Sequence, residues 1–467
     1  MEERLKKALI LILIISAFFS LCAVNFDSSE SYERFKKGHS VGLSIFPVYE
    51  GNNTLLELDA FGSFYFDPLS FGFLIPVRFL LYNGDDIPTS ASVFPEDDWD
   101  DARDWVALLN FFQYGYKTDL FYFRFAEAEN RYVGNGTILG SYYNTLKLRF
   151  PKRSISMAFN TDYAGLDFFM DDVTPPNIIG GRAYIKPVSF FKKENYANNL
   201  ELGFTYFADI SAPYSIVIPK DENNNRVLEE ASDQVFGFDI SMRFVSLKYY
   251  KMKFYNEINH IVDAGTGLHF GLEHILTLPT ATDMKFISRW EYRLMQSNYI
   301  PSYFNTFYDI QREYYRDGKT KSGFISDLSR DPDRFNLDWT HGYYFDLVFD
   351  ITGKFSIGGS FEHNRIYTND MKGKFNNFQI TVFMNALFFK KLGADLVLTF
   401  EDIGESSLKD NPFFNISAYY LMSDYFRIGF YASSKWYLQK ENKDQSTQYH
   451  YENTAAYSAG AYGILRF

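Results

Sequence analysis

The 467-residue chain has a single cysteine, Cys22, and only 15 prolines. One thiol cannot build a disulfide framework, which excludes a small cross-linked secreted scaffold. Scarce proline excludes a proline-rich disordered chain. Long apolar runs are as rare. A mean hydropathy of -0.23 excludes a bundle of membrane helices, each of which needs about 20 consecutive apolar residues. There is no nucleophile elbow, phosphate-cradling glycine loop or zinc-protease helix. The seven histidines, at 39, 260, 269, 274, 341, 363 and 450, are scattered. His269 and His274 share a candidate strand, but five positions apart they fall on opposite faces. No cofactor and no metal centre is expected. A net charge of -12, without a basic stripe, argues against nucleic acid as a partner.

What is present is apolar and aromatic material, at 46% and 19% of positions. The one apolar run, residues 8–21, follows Met1-Glu2-Glu3-Arg4-Leu5-Lys6-Lys7 and precedes Cys22-Ala23. Too short to span a bilayer comfortably, it reads as a secretory signal over residues 1–23. Its removal takes three basic and two acidic side chains and the only thiol, moving the net charge from -12 to -13. A lipid anchor on Cys22 is the alternative, and bulky Phe19 and Leu21 count against it.

Beyond the signal the hydrophobic period is two. Leu392, Ala394, Leu396, Leu398 and Phe400 alternate with Gly393, Asp395, Val397, Thr399 and Glu401. Residues 199–208 and 235–244 repeat the pattern. The candidate strands run about 9 to 13 residues, the length a tilted strand needs to cross a bilayer. Short turns, among them Asp67-Pro68-Leu69-Ser70, Lys117-Thr118, Pro151-Lys152 and Val245-Ser246, alternate with long polar loops near 82–103, 129–141, 212–232, 295–340 and 436–453. From residue 40 onward there are 21 candidate strands. A barrel with both termini on one side needs an even number, and the parity breaks between about 142 and 187, so 18 to 20 strands are expected. That number encloses a lumen too wide for side chains alone to fill.

The chain ends on Phe467, and Leu465, Gly463, Ala461, Ala459 and Tyr457 precede it at every second position. With the export signal and the alternating loops, this resembles the outer-membrane β-barrels of Gram-negative bacteria, whose C-terminal aromatic is read by the barrel assembly machinery. Small Gly463, Ala461 and Ala459 depart from the bulkier outward residues usual there. The resemblance implies an all-β, transmembrane, antiparallel up-and-down barrel over residues 40–467, preceded by a short periplasmic segment, 24–39. It also implies outer-membrane lipid and the assembly machinery as partners, with Phe467, Leu465 and Tyr457 as the assembly signal. Hydrocarbon leaves an open sheet edge unsatisfied, so closure is expected on physical grounds.

If the oily face meets lipid, the opposite face meets the lumen. Basic positions there include Arg78, Arg124, Lys147, Arg149, Lys251, Lys253, Lys285, Arg289 and Arg293. Acidic ones include Glu57, Asp346, Asp350, Glu362, Asp395 and Glu401. The basic cluster precedes the acidic one by several strands. Two arrangements follow: opposed walls with a transverse field, or pairing across neighbouring strands. The 297–340 segment, rich in Tyr and Phe, needs burial, which folding into the barrel mouth or a helical cap on the rim would supply. A passive channel for small hydrophilic solutes is the function this pattern favours. The alternatives are a transporter of hydrophobic molecules, a non-conducting adhesin or anchor, and a barrel lipid hydrolase using His269 and Ser288.

Overall fold

A computed structural model of the protein describes residues 39–467 apart from 51–52, 84–94, 96–97, 149, 192–198, 218–226, 280–283, 297, 316–318, 331–338, 352–353, 368–371, 385–390, 402–411, 444–445 and 467. The export signal, residues 24–38, Arg149 and the terminal Phe467 therefore lie outside the described residues.

Twenty strands occur among the described residues. They are β1 (Ser40–Glu50), β2 (Asn53–Phe66), β3 (Leu69–Asn83), β4 (Leu109–Tyr114), β5 (Phe121–Ala126), β6 (Ser154–Asn160), β7 (Ala164–Met170), β8 (Ile178–Ile185), β9 (Leu200–Val217), β10 (Val227–Ser246), β11 (Tyr250–Ile261), β12 (Thr266–Leu278), β13 (Met284–Gln296), β14 (Trp339–Ile351), β15 (Phe355–Tyr367), β16 (Lys372–Met384), β17 (Leu392–Glu401), β18 (Phe413–Leu421), β19 (Phe426–Lys443) and β20 (Ser446–Arg466). Successive strands pair antiparallel, as in β9 with β10 and β13 with β14. β1 also pairs with β20, from Ser40 opposite Arg466 to Glu50 opposite Ala456. Every strand thus has two neighbours, and the sheet returns on itself without a free edge.

The period of two sorts the side chains as the sequence requires. Leu202 and Phe204 on β9, Phe238 and Ile240 on β10, and Trp290 on β13 are exposed on the outside of the ring. Their neighbours Thr205, Asp239, Ser241 and Glu291 are buried on the inside. The small residues of β20 also find a reason. Ala459, Ala461 and Gly463 stand opposite Phe430, Ile428 and Phe426 of β19. Ala461 and Gly463 face Ile45 and Leu43 of β1 on the other flank. Bulk on the two neighbouring strands covers the outer surface where β20 has little.

The parity break has a structural cause. Residues 127–153 are one connection between β5 and β6, and Pro151-Lys152 closes it rather than forming a hairpin turn. Among its described residues the connection makes isolated bridges only: Arg131 with Tyr142, Leu139 with Phe304 and Lys147 with Trp436. Lys147, expected on a wall strand, belongs to this connection instead. The reason is apolar content. Ile138, Leu139, Tyr142 and Leu146 are buried, and they share a core with Tyr299, Tyr303, Phe304, Phe307, Tyr308 and Ile310 of the 297–338 connection. Two connections thus form a plug within the ring. Gly134 marks their approach to the wall: it adopts φ +60°, and an added Cβ would lie 2.8 Å from Arg182 Cδ. Three short α-helices accompany the strands among the described residues: α1 (Ala102–Ala107), capped by the Asp101 carboxylate, and α2 (Tyr308–Gln311) and α3 (Lys321–Arg330) in the plug.

Candidate functional site: the plugged lumen

The plug is tied to the wall by buried polar contacts that the connections and the strands supply together. From the 127–153 connection, Asn135 Nδ2 donates to Glu257 Oε2 of β11 at 2.9 Å, and Thr137 Oγ1 donates to the same carboxylate. Arg131 Nη2 reaches Asp167 Oδ1 of β7 at 2.8 Å. From the 297–338 connection, Arg312 holds Asp209 of β9 through Nε at 2.9 Å and Nη2 at 3.1 Å, while Tyr308 Oη donates to Asp209 Oδ2 at 3.0 Å. Tyr303 Oη donates to Asp233 Oδ2 of β10 at 2.6 Å. The two connections are joined to each other at Lys152. Its Nζ lies 2.8 Å from Asp309 Oδ2 and 3.0 Å from Asp171 Oδ2, all three groups being buried. Burial acts against the ammonium there, but Asp309 and Asp171 outweigh it, and its pKa stands above the ordinary lysine value. Asp171 shows the converse: burial pushes its carboxyl up, while Lys152 and the Ile178 and Asn177 backbone N–H groups prevail and hold it below the ordinary range.

Of the two arrangements open to these charges, pairing across neighbouring strands is the one found on β13–β15. On the β13–β14 ladder, Arg289 stands opposite Asp346 and Lys285 opposite Asp350, and Arg289 Nε contacts Asp346 Oδ2 at 3.1 Å. Arg293 reaches Glu362 of β15 at 2.8 Å. A basic strand beside an acidic strand neutralises locally, because hydrogen-bonded partners on adjacent strands are closer than any pair across the ring. The remaining positions are more dispersed. Lys253 donates to Asn135 Oδ1 of the plug at 3.0 Å, Arg124 Nη1 to Gln113 Oε1 at 2.7 Å, and Ser417 Oγ to Asp395 Oδ2 at 3.1 Å. Lys251 is exposed beside the β10–β11 turn. Glu401 lies on β17 opposite Asn377 by its backbone. Leu465 and Tyr457 face outward, exposed.

His269 is fully buried, with Nδ1 3.0 Å from Glu291 Oε1 and Nε2 2.9 Å from Tyr299 Oη. Nδ1 thus joins two neighbouring wall strands, β12 and β13, while Nε2 ties the wall to the plug. Ser288 stands opposite His274 on the ladder, and His269 opposite Arg293, so the pair considered for a hydrolase is not brought together.

Beside the plug a cavity of about 370 Å³ remains. Its wall is the inner face of β1–β3, β19 and β20, with Glu57, Arg78 and Lys435 among the lining residues. The plug contributes Lys147, Phe150 and Arg153, and residues 98–108 contribute a roof. Arg78 fastens that roof, its Nε 3.0 Å from Asp98 Oδ2. Arg103 of α1 fastens it again, with Nε 3.2 Å from Asp172 Oδ2 and its guanidinium 4.0 Å from the Phe150 ring centroid.

The chain matches no protein-family model and no curated protein sequence. Several solved structures from Pseudomonas aeruginosa overlay on it loosely. OccK9 (OpdG) is 7% identical over 92% of this chain and 97% of its own, with a TM-score of 0.32. The outer membrane protein OpdK is 6% identical over 92% and 98%, at 0.33. A mutant of the ferric enterobactin receptor PfeA is 8% identical over 92% and 80%, at 0.37. Overlaps this distant add nothing to what the strand pairing itself establishes.

Proposed function

We propose that the protein is an outer-membrane channel through which small hydrophilic solutes diffuse, the cavity beside the plug being the path. The observation that carries this reading is the ring itself: a closed sheet with apolar side chains outward and charged ones inward. An apolar belt running round a whole barrel far exceeds the few hundred Å² that soluble monomers tolerate in one patch, and hydrocarbon is the solvent that removes the cost. The export signal expected over residues 1–23 supplies a route to the outer membrane. Transport needs no catalyst in this scheme. Solutes move down their gradient, limited by the plug and biased by the groups around the cavity. A non-conducting barrel is the second reading, favoured by the density of the plug core. The cavity weighs against it.

Reconstitution of the purified chain into planar bilayers tests the proposal. Discrete current steps are expected. A bilayer whose conductance stays at the protein-free level would defeat it.

A further inference from the structure

The groups around the cavity point to a class of solute. Acidic and basic side chains are equal there, five of each, and the strongest contacts are already made. Arg153 Nη1 holds Glu127 at 2.7 Å, Lys147 Nζ holds Glu313 at 2.6 Å, and Arg78 holds Asp98. A charged solute would lose its hydration against charges that are mostly matched already, with little counter-charge offered in return. A neutral solute bearing many hydroxyls has no such penalty. It can donate to the spare lone pairs of paired carboxylates and accept from the spare N–H groups of paired cations.

The second feature is aromatic. Phe46, Phe150 and Tyr431 line the cavity, and Trp99 belongs to its roof. Trp99 meets Trp105 edge-on, with centroids 5.4 Å apart and planes at 60°. Trp105 is 60% exposed, so its indole face is open beside the roof residue Trp99. Indole faces accept the C–H face of a saturated ring, while carboxylates and guanidinium groups take the hydroxyls at its edge. The volume lies toward the lower end of the ~300–1,000 Å³ typical of small-molecule sites.

We infer that this path selects neutral carbohydrates of one or two pyranose rings, the Trp99–Trp105 pair receiving the sugar at the mouth and the ion pairs passing its hydroxyls inward. The inference rests on the channel reading above, and the test separates the two. Maltose is added to the purified full-length protein in a planar bilayer, with lysine and glutamate as charged comparators. Maltose is expected to interrupt the open-channel current reversibly, and the charged solutes to do so far less. Trp99→Ala and Trp105→Ala should weaken the maltose effect about tenfold or more, as loss of an indole contact does elsewhere. Trp339→Ala, at an exposed site on β14, should leave it intact. Current steps that maltose does not touch, or that lysine or glutamate interrupts more strongly, overturn the sugar assignment and leave the channel standing. Loss of the maltose effect in all three variants alike overturns the role of the indole pair. Absence of any steps defeats the channel reading, and the assignment with it.

Discussion

Two sectors of the ring are built from strands with the same alternation, yet one is packed solid and the other is open. Along β7–β13 several inward positions that meet the plug are apolar, set among the carboxylates that anchor it: Phe169, Phe207, Val235, Ile261 and Met295 are all buried in the common core. Along β1–β3 the corresponding inward positions include Glu50, Glu57 and Arg78, and the cavity lies against them. Alternation therefore decides only which face is inside. Whether the inside is filled depends on a second signal, the few inward positions that are apolar as well, because these let a connection fold inward and bury its own aromatic side chains at about 1.5–3 kcal/mol each.

The sharpest way to break this contrast is to remove the filling. Replacing residues 300–325 by a short Gly-Ser linker deletes most of the aromatic half of the plug. Single-channel conductance should rise several-fold, since a ring of this strand number leaves a wide lumen when only side chains occupy it. Unchanged conductance would mean that the packed sector is not what restricts the path. A milder break is Asp209→Ala, which strands buried Arg312 without its carboxylate. Removing one member of a buried pair costs about 3–5 kcal/mol. Protease cleavage within the 297–338 connection should become much faster while the strand signal in circular dichroism stays unchanged. Equal protease resistance would refute the anchoring role of Asp209. The same kind of change in the open sector should be cheaper. Arg78→Ala removes a partner from Asp98 where the guanidinium is part-exposed, for about 1–2 kcal/mol, and thermal unfolding of the two variants side by side checks the order.

Much of this architecture was legible beforehand, and the failures are instructive. The all-β antiparallel architecture, the outward set around Phe238 and Leu202, and an even strand number near 20 all follow from period two and from the need to satisfy every backbone group. The 142–150 region misled because Tyr142, Leu146 and Leu148 also space apolar residues evenly, and pattern alone cannot say whether such a segment joins the wall or the plug. Lys152, Asp309 and Asp209 were missed as anchors. Their partners lie 157 residues apart for Lys152 and Asp309 and 103 apart for Arg312 and Asp209, a separation that no local period encodes. A usable signal did exist. At Phe168-Phe169, Tyr206-Phe207 and Val235-Phe236 both faces of a strand are apolar, which a lumen full of water would not explain. For the charges on β13 and β14 the sequence leaves two arrangements open, facing walls or pairing across neighbouring strands, and the ladder shows the second. They are adjacent because the long connection between these strands leaves their pairing intact.

The smallest expected effect is the one that the anchor at Lys152 should not have. With its ammonium pKa raised in the folded protein, Lys152 contributes fully below the ordinary lysine value near 10.4 and loses that contribution only as pH rises through the higher folded value. Asp171, held below the ordinary carboxylate range, contributes fully above about pH 4 and loses it only as pH falls through its lower folded value. Between about pH 5 and pH 9 neither group changes state, so backbone hydrogen exchange in residues 150–154, corrected for intrinsic rates, should be flat across that range; Glu129, whose carboxyl is pushed up to about 7 by burial and by Glu127, lies outside this stretch. Lys152→Met leaves two buried carboxylates facing each other without a cation. One of them would then take up a proton on folding, so the variant's protection should fall as pH rises through the neutral range. A wild-type profile that already sloped there would mean that the join between the two connections does not rest on this ion pair, and the packed sector would have to owe its closure to the aromatic core alone.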